Sequence, residues 1–378
     1  MADILDAFGR ELAQATLRGP RARESWKAVL SVLLGLGLAL LLFESNDAYW
    51  AAFSAFMILK ASVAETITRG VYRVLGTIGG ALTGFVIAGF LGNSASALLL
   101  AMMSVAFVSI FRFQTSKYSY AWMYFGLTGE IVLSITLGSP FAVTTWVAIR
   151  VGEIAAGVAG CIFVSCMFSV LWPADTDKSP APTAPDGERL PLWRGLFDEE
   201  WLEENWLPLI HAARGAFSFA VLFFFWRLIE LDDITDSAST SILVLMLPGA
   251  PVRQGKNLAL IQRGMQRFVG CSLGGLFGIV ALLSMSDNFQ IWALMLAIGV
   301  WIAAWVQNGK EGASYAGSQF ALVLFVTLIQ GNGPPADLQP TWQRFRGILI
   351  GIFILSLVNA AWPLPAPETL GEKTPSPS

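Results

Sequence analysis

The sequence predicts an all-α polytopic membrane protein: about twelve transmembrane helices in two parallel six-helix repeats, with both termini cytoplasmic (N-in, C-in). Three observations predict it. Hydrophobic residues make up 55% of the 378-residue chain and charged residues only 13%, where a soluble domain carries about 25% charged. Apolar runs near membrane-spanning length recur along the chain. A basic, glycine-rich stretch also occurs twice: Arg69, Gly70, Arg73, Gly76, Gly80, Leu82 and Gly84 recur as Arg263, Gly264, Arg267, Gly270, Gly274, Leu276 and Gly278.

Residues 1–24 come first. Ile4, Leu5, Phe8, Leu12 and Leu17 fall along one helical side, which predicts a short amphipathic helix on the cytoplasmic membrane surface. The segment is too long and too charged for a cleavable signal peptide. The first repeat, 25–173, holds apolar spans near 25–43, 48–60, 71–91, 96–111, 118–138 and 144–172. Residues 174–207 follow as a cytoplasmic Pro-rich linker, "ADTDKSPAPTAPDGERLP", and a second surface helix, "LWRGLFDEEWLEENWL". The second repeat, 208–364, holds spans near 209–229, 237–250, 265–285, 289–306, 313–330 and 341–363, and 365–378 form a disordered tail.

Orientation follows from charge. With both termini cytoplasmic, cytoplasmic segments hold 18 of the 24 Lys and Arg, while the loops opposite hold none. The repeat extends past its basic stretch: Ser119-Tyr120-Ala121 recurs at 314–316, Trp146 and Arg150 recur as Trp342 and Arg346, and each half closes on Trp-Pro. Six spans per half make the repeats parallel, about a pseudo-two-fold axis along the membrane normal, with a pathway expected between them.

The stretches "YWAAFSAFMIL…RGVYRVLGTIGGALTG" (49–84) and "RVGEIAAGVAG…VLWP" (150–173) resemble the fusaric acid resistance / aromatic acid exporter family. The first half resembles it closely over about 125 residues and the second half more loosely. The resemblance implies an inner-membrane transporter that expels aromatic or hydroxylated aromatic carboxylates, driven by protons. Related plant anion channels share the six-span unit. Larger members carry an extensive cytoplasmic domain after the sixth span, and here only about 35 linker residues stand in its place.

Candidate site residues follow from length and depth. "YWAAFSAFMIL" (49–59) and "SASTSILVLML" (237–247) are too short to cross a bilayer, which takes about 20 residues. Paired short segments at matching positions point to a transporter binding site. Lys60 and Arg253 stand at the two breaks, and Pro248-Gly249 ends the second segment. Arg69 and Arg73, with Arg263 and Arg267, offer planar forked donors suited to a carboxylate. The same arginines also serve as orientation signals that contact lipid phosphates, and both readings stand. The glycines suit close helix packing. Tyr120, Tyr315 and Gln319 are the candidate stacking and hydrogen-bonding contacts at the cytoplasmic mouth.

Deeper charges are Glu130, Arg150 and Glu153, roughly 12, 9 and 13 Å from the outer surface at 1.5 Å per residue. Arg150 and Glu153 are i, i+3 neighbours able to satisfy each other. Glu130 is then the proton-coupling candidate, or else part of a Glu–Arg cluster that only locks helices. Arg346 keeps the arginine in the second half, where Phe325 and Leu349 replace the two carboxylates.

Other classes of function find no support. Cys161, Cys166 and Cys271 lie in apolar segments and read as small buried hydrophobes. His211 is the single histidine, so no His-rich metal site is expected. No nucleophile–His pair or metal-ligand spacing appears, so neither an enzyme nor a cofactor is expected. The expected partners are the organic anion, membrane lipid, and a periplasmic adaptor or a second copy, but no nucleic acid. The function expected is proton-driven export of small organic anions, with a passive anion channel lined by Arg150 and Arg346, or a non-transporting membrane scaffold, as alternatives.

Overall fold

The computed structural model describes residues 1–43, 48–138, 143–172, 199–229, 234–247, 249–285, 288–330 and 338–365. The Pro-rich linker through residue 198, Pro248 and the tail from residue 366 lie outside the described residues, as do parts of the loops used for orientation. Among the described residues the secondary structure is helical. The helices are α1 (Ala2–Ala13), α2 (Pro20–Leu42), α3 (Tyr49–Ile58), α4 (Val63–Leu91), α5 (Ala95–Thr115), α6 (Ser119–Gly138) and α7 (Val143–Leu171). They continue as α8 (Glu199–Leu228), α9 (Thr235–Leu245), α10 (Gly249–Arg253), α11 (Asn257–Met285), α12 (Phe289–Gln307), α13 (Ser314–Leu328) and α14 (Gln339–Ala361).

Nine of these helices are long and apolar enough to cross a membrane: α2, α4–α8, α11, α12 and α14. Local signals set their starts. Pro20 opens α2 after Gly19 at φ 97°, Ser94 caps α5 through Ala97 N, and Asn288 accepts from Gln290 N and Ile291 N at α12.

The other three apolar segments form shorter helices. α3, α9 and α13 have 10, 11 and 15 residues, about 15, 16 and 22 Å long against a hydrocarbon core of about 30 Å. The sequence marks the first two as short but reads the third as a full span at 313–330. All three are wrapped in protein: α9 is buried throughout Ser237–Leu245 and α13 throughout Ala316–Leu328. That cover is needed, because a helix ending at depth leaves carbonyls that lipid cannot satisfy. Side chains on longer helices reach the carbonyls at these ends. Lys27 Nζ donates to Lys60 O at 2.7 Å beyond α3. His211 Nε2 meets Leu245 O at 2.8 Å and Gln114 Nε2 donates to Leu247 O at 2.6 Å beyond α9. Trp292 Nε1 donates to Leu328 O at 2.6 Å at the end of α13.

The described chain divides into two compact units, Met1–Ile78 with Phe141–Asp175 and Arg263–Leu349, and Gly79–Pro140 with Thr176–Gln262 and Ile350–Ser378. Each unit draws helices from both halves of the sequence. In the first, α2 packs on α7, α3 and α12, while α13 packs on α12 and α3. In the second, α5 packs on α8 and α6, while α9 packs on α6 and α8. The glycines allow close approach: a Cβ on Gly80 would collide with Phe125 O in the second unit, and one on Gly274 with Phe320 O in the first.

Two expectations need correction. The described part of the second surface helix, 199–207, and the span at 209–229 are one helix, α8, which runs through Pro208, while residues 192–198 lie outside the described residues. A proline cannot donate to the carbonyl four residues back. Here Arg253 Nη1 donates to that carbonyl, Glu204 O, at 3.1 Å, so the helix continues. The N-terminal segment does form an amphipathic helix, but it docks on protein as well as offering a surface face. Phe8 lies 6.0 Å from Phe320 by ring centroids. The buried Glu11 pairs with Arg21, and accepts from Glu311 N at 2.6 Å while its carbonyl accepts from Trp305 Nε1 at 2.8 Å. Leu5 and Leu17 remain exposed on the other side.

Candidate functional site

The first unit gathers most of the candidate residues. α4 carries Arg73 into the core, where it is fully buried. Its Nε donates to Ser54 Oγ at 2.9 Å, and its guanidinium lies 5.0 Å from the Phe53 ring. Ser54 in turn donates to Trp50 O at 2.6 Å, which fixes the hydroxyl as acceptor toward the arginine. α11 carries Arg267 to the same depth of burial, and its Nη1 donates to Gln319 on α13. Ser54 and Gln319 therefore hold the two guanidiniums from the two short helices, which pack on each other with Phe56 and Phe325 edge to face at 6.0 Å. One turn earlier on α11, Arg263 lies 4.0 Å over the Tyr315 ring. Arg263, Arg267, Tyr315 and Gln319 are thus brought together in pairs.

A second cluster is built on α3, α7 and α14. Arg150 is buried and pairs with Glu153 at 2.7 Å, as the i, i+3 spacing predicts. Its guanidinium also lies 5.0 Å from the Trp146 ring, 5.7 Å from Trp50 and 5.9 Å from Tyr49. Arg344 approaches the Tyr49 ring at 5.8 Å from α14. Tyr49 thus stands between two guanidiniums, an arrangement in which ring quadrupoles offset part of the desolvation of the charge. Trp50 Nε1 is buried without a hydrogen-bond partner among the described residues.

The remaining candidates separate from these clusters. Lys60 is half-buried in the turn after α3, where its main chain is tied to Lys27 and Thr66. Arg69 and Arg346 are half-buried in the first unit. Glu130 and Tyr120 belong to the second unit, whereas Arg150 and Glu153 belong to the first. Glu130 is fully buried on α6, and neither carboxyl oxygen has a hydrogen-bond partner among the described residues. Tyr120 meets Tyr124, hydroxyl to hydroxyl, at 3.4 Å. Of the cysteines, Cys161 and Cys271 are buried as expected, but Cys166 is exposed.

Tyr49, Trp50, Trp146 and Arg344 are members of the second cluster that the residue pattern does not single out. A signal for Trp146 was present, since it shares a helical face with Arg150 at i, i+4. Arg344 stood two residues from Arg346, the position to which the repeat alignment drew attention.

A chain whose described residues form helices, nine of them of membrane-spanning length with arginines buried among them, is a multi-pass membrane protein. The family comparison agrees. The model of the fusaric acid resistance protein-like family matches residues 30–164 and 235–358, more than half of the chain, and the chain belongs to that family. It is also similar to inner membrane protein YeeA of Escherichia coli (strain K12), 21% identical over 155 residues. That match covers 41% of this chain and 41% of the relative. No solved structure matches. The protein is a multi-pass inner-membrane protein.

Proposed function

We propose that the protein exports small organic anions, aromatic carboxylates first, across the inner membrane in exchange for protons. The observation that carries the reading is how the buried bases are used. Lys27, His211 and Arg214 donate to or meet main-chain carbonyls, a role that needs no ligand. Arg73, Arg150 and Arg267 meet rings and side chains inside one unit. Intramembrane cations are expensive and mark substrate or ion pathways. Guanidinium beside aromatic rings suits a planar carboxylate with a ring attached. In this reading Lys60, Arg69, Arg73, Arg263 and Arg267, with Tyr120, Tyr315 and Gln319, guide the anion. Arg150, Glu153 and Arg346 set the pore charge, and Glu130 takes up and releases the proton.

The same proposal includes a two-repeat architecture of twelve apolar segments, nine spanning and three shorter and protein-covered, with both termini cytoplasmic. Two observations support it. The family model matches one stretch in each half of the chain, and α3 on α13 in one unit parallels α9 on α6 in the other. The test is uptake of an aromatic acid into everted vesicles under an imposed proton gradient. Accumulation above equilibrium, lost in Glu130→Gln, is expected. Equilibration without accumulation, sensitive to Arg150→Gln and not to Glu130→Gln, would overturn antiport in favour of a passive channel.

A further inference from the structure

The first unit contains an open cavity of about 310 Å³ between α11, α13 and α14, lined mostly by apolar atoms. Cys271, Gly275 and Ile279 line it from α11, and Thr341, Trp342 and Phe345 from α14. None of these residues belongs to the arginine clusters described above.

The cavity has a polarity along its length. α11 and α14 run antiparallel: Asn257 at the start of one bonds the main chain of Leu364 just past the end of the other, and Phe268 meets Phe345 at 6.1 Å. Cys271 and Phe345 therefore mark one end of the cavity, Ile279 and Leu338 the other. Charge gathers at the Cys271 end. Arg267 is one helical turn before Cys271 on α11, and its partner Gln319 is one turn before Val323 on α13, which also lines the cavity. At 100° per residue, Arg344 and Arg346 also flank the Thr341–Trp342–Phe345 face of α14. The Ile279 end lies near the Met285 end of α11 and the start of α14.

The volume is near the lower limit for ligand pockets, about 300 Å³, and so fits one or two rings rather than a lipid. Trp342 and Phe345 stack at 6.1 Å and 30°, and Phe268 extends this wall, which presents flat faces to a ring. The opening is lateral, with Leu276 60% and Trp342 66% exposed on apolar faces.

We infer that this cavity is a lateral entry site for lipophilic aromatic acids, holding the ring against Trp342 and Phe345 and the carboxyl group toward Arg344 and Arg267. It rests on the organic-anion reading above and adds to it a route from within the bilayer. It also adds a selectivity: acids that partition into membranes use the cavity, and strongly hydrophilic ones do not.

The test is photolabelling of the purified full-length protein with 4-benzoylbenzoate, mapped by mass spectrometry, with 4-butylbenzoate as competitor. Labelling needs no transport, so it can succeed where the export assay fails, and the two failures are distinguishable. Labels within 271–279 or 338–345, displaced by 4-butylbenzoate, are expected. Gly275→Leu, which fills the cavity, should abolish them. Gly275→Ala should keep them, because its Cβ meets Val323 only at an ordinary 3.4 Å. Arg344→Gln should raise the competitor concentration needed by about tenfold. Trp342→Ala, at an exposed position with little bearing on folding, should reduce labelling on its own. Labels elsewhere, labels that 4-butylbenzoate fails to displace, or labels displaced by anionic phospholipid alone would each overturn the inference.

Discussion

His211 offers the sharpest test of how the short helices are held. The ring is fully buried, and its Nε2 lies 2.8 Å from Leu245 O. A carbonyl only accepts, so the nitrogen facing it donates and the proton sits on Nε2. Leu245 is the last residue of α9, and its carbonyl lacks the i+4 amide of a continuing helix, accepting instead from Leu247 N at 2.8 Å and from the His211 ring. Replacing His211 with Phe keeps a ring of similar size, so no large cavity term enters, but removes the donor. The carbonyl then keeps only the Leu247 N–H, 2.8 Å away, and losing one of its two donors costs about 0.5–1.5 kcal/mol. For a unit of this size that corresponds to about 2–4 °C in melting midpoint per kcal/mol. His211→Gln keeps an N–H donor and should recover part of the loss. Gln114→Leu, which uncovers Leu247 O, should fall in the same range. Thermal unfolding of the purified variants in detergent reads all three. A Phe variant as stable as the parent, or a Gln variant no better than Phe, would refute the capping role.

Three further outcomes are expected. Arg253→Ala should destabilise the protein by about 1 kcal/mol. In a Pro208→Ala background that loss should shrink, because residue 208 then supplies its own amide to Glu204 O; a double-mutant cycle on thermal melts measures the coupling, and strict additivity would count against it. Glu311 is held below the usual carboxylate range by hydrogen bonds from Arg10 and Gln14. Its stabilising contribution to α1 docking is therefore complete at neutral pH and lost as pH falls through its folded-state titration; amide exchange of residues 2–13 should accelerate in acid, and Glu311→Gln should remove most of that dependence. Gly274→Ala should destabilise by about 1–3 kcal/mol through overpacking against Phe320 O, whereas Gly275→Ala next to it should be close to neutral; equal melting points for the two would contradict the close approach of α11 to α13.

Much of the helical layout was legible because apolar runs bounded by charge are a strong local signal. The apolar run at 96–111 becomes α5 at Ala95–Thr115, and the one at 289–306 becomes α12 at Phe289–Gln307. What was hidden is non-local. The run at 313–330 carries no local stop, and α13 ends at Leu328 where Trp292 from another helix takes the last carbonyl. Pro208 reads as a break, and the residue that repairs it, Arg253, stands 45 positions away in the chain. Glu11 lies within the expected amphipathic helix, while its partners Trp305 and Glu311 stand about 300 positions further along the chain.

These departures share a cause, and the cause bears on function. At the ends of α3, α9 and α13, and at Pro208 in α8, a main-chain carbonyl receives a donor from a basic, amide or indole side chain of another helix. Basic residues in this protein therefore have two separate uses that composition cannot tell apart. Lys27, His211, Arg214 and Arg253 each reach a main-chain carbonyl, with Glu24, Asn257 and the Glu204 carboxylate as further partners of Lys27, Arg214 and Arg253, so their replacement should act on stability first. Arg73, Arg150 and Arg267 meet a hydroxyl, a carboxylate, an amide and aromatic faces. Their replacement by Gln should act on anion transport before it acts on melting. Arg73→Gln and Lys27→Gln make the decisive pair, each measured for both uptake and thermal unfolding. Parallel losses in both variants would dissolve the distinction, and with it the reason for assigning the anion path to these three arginines.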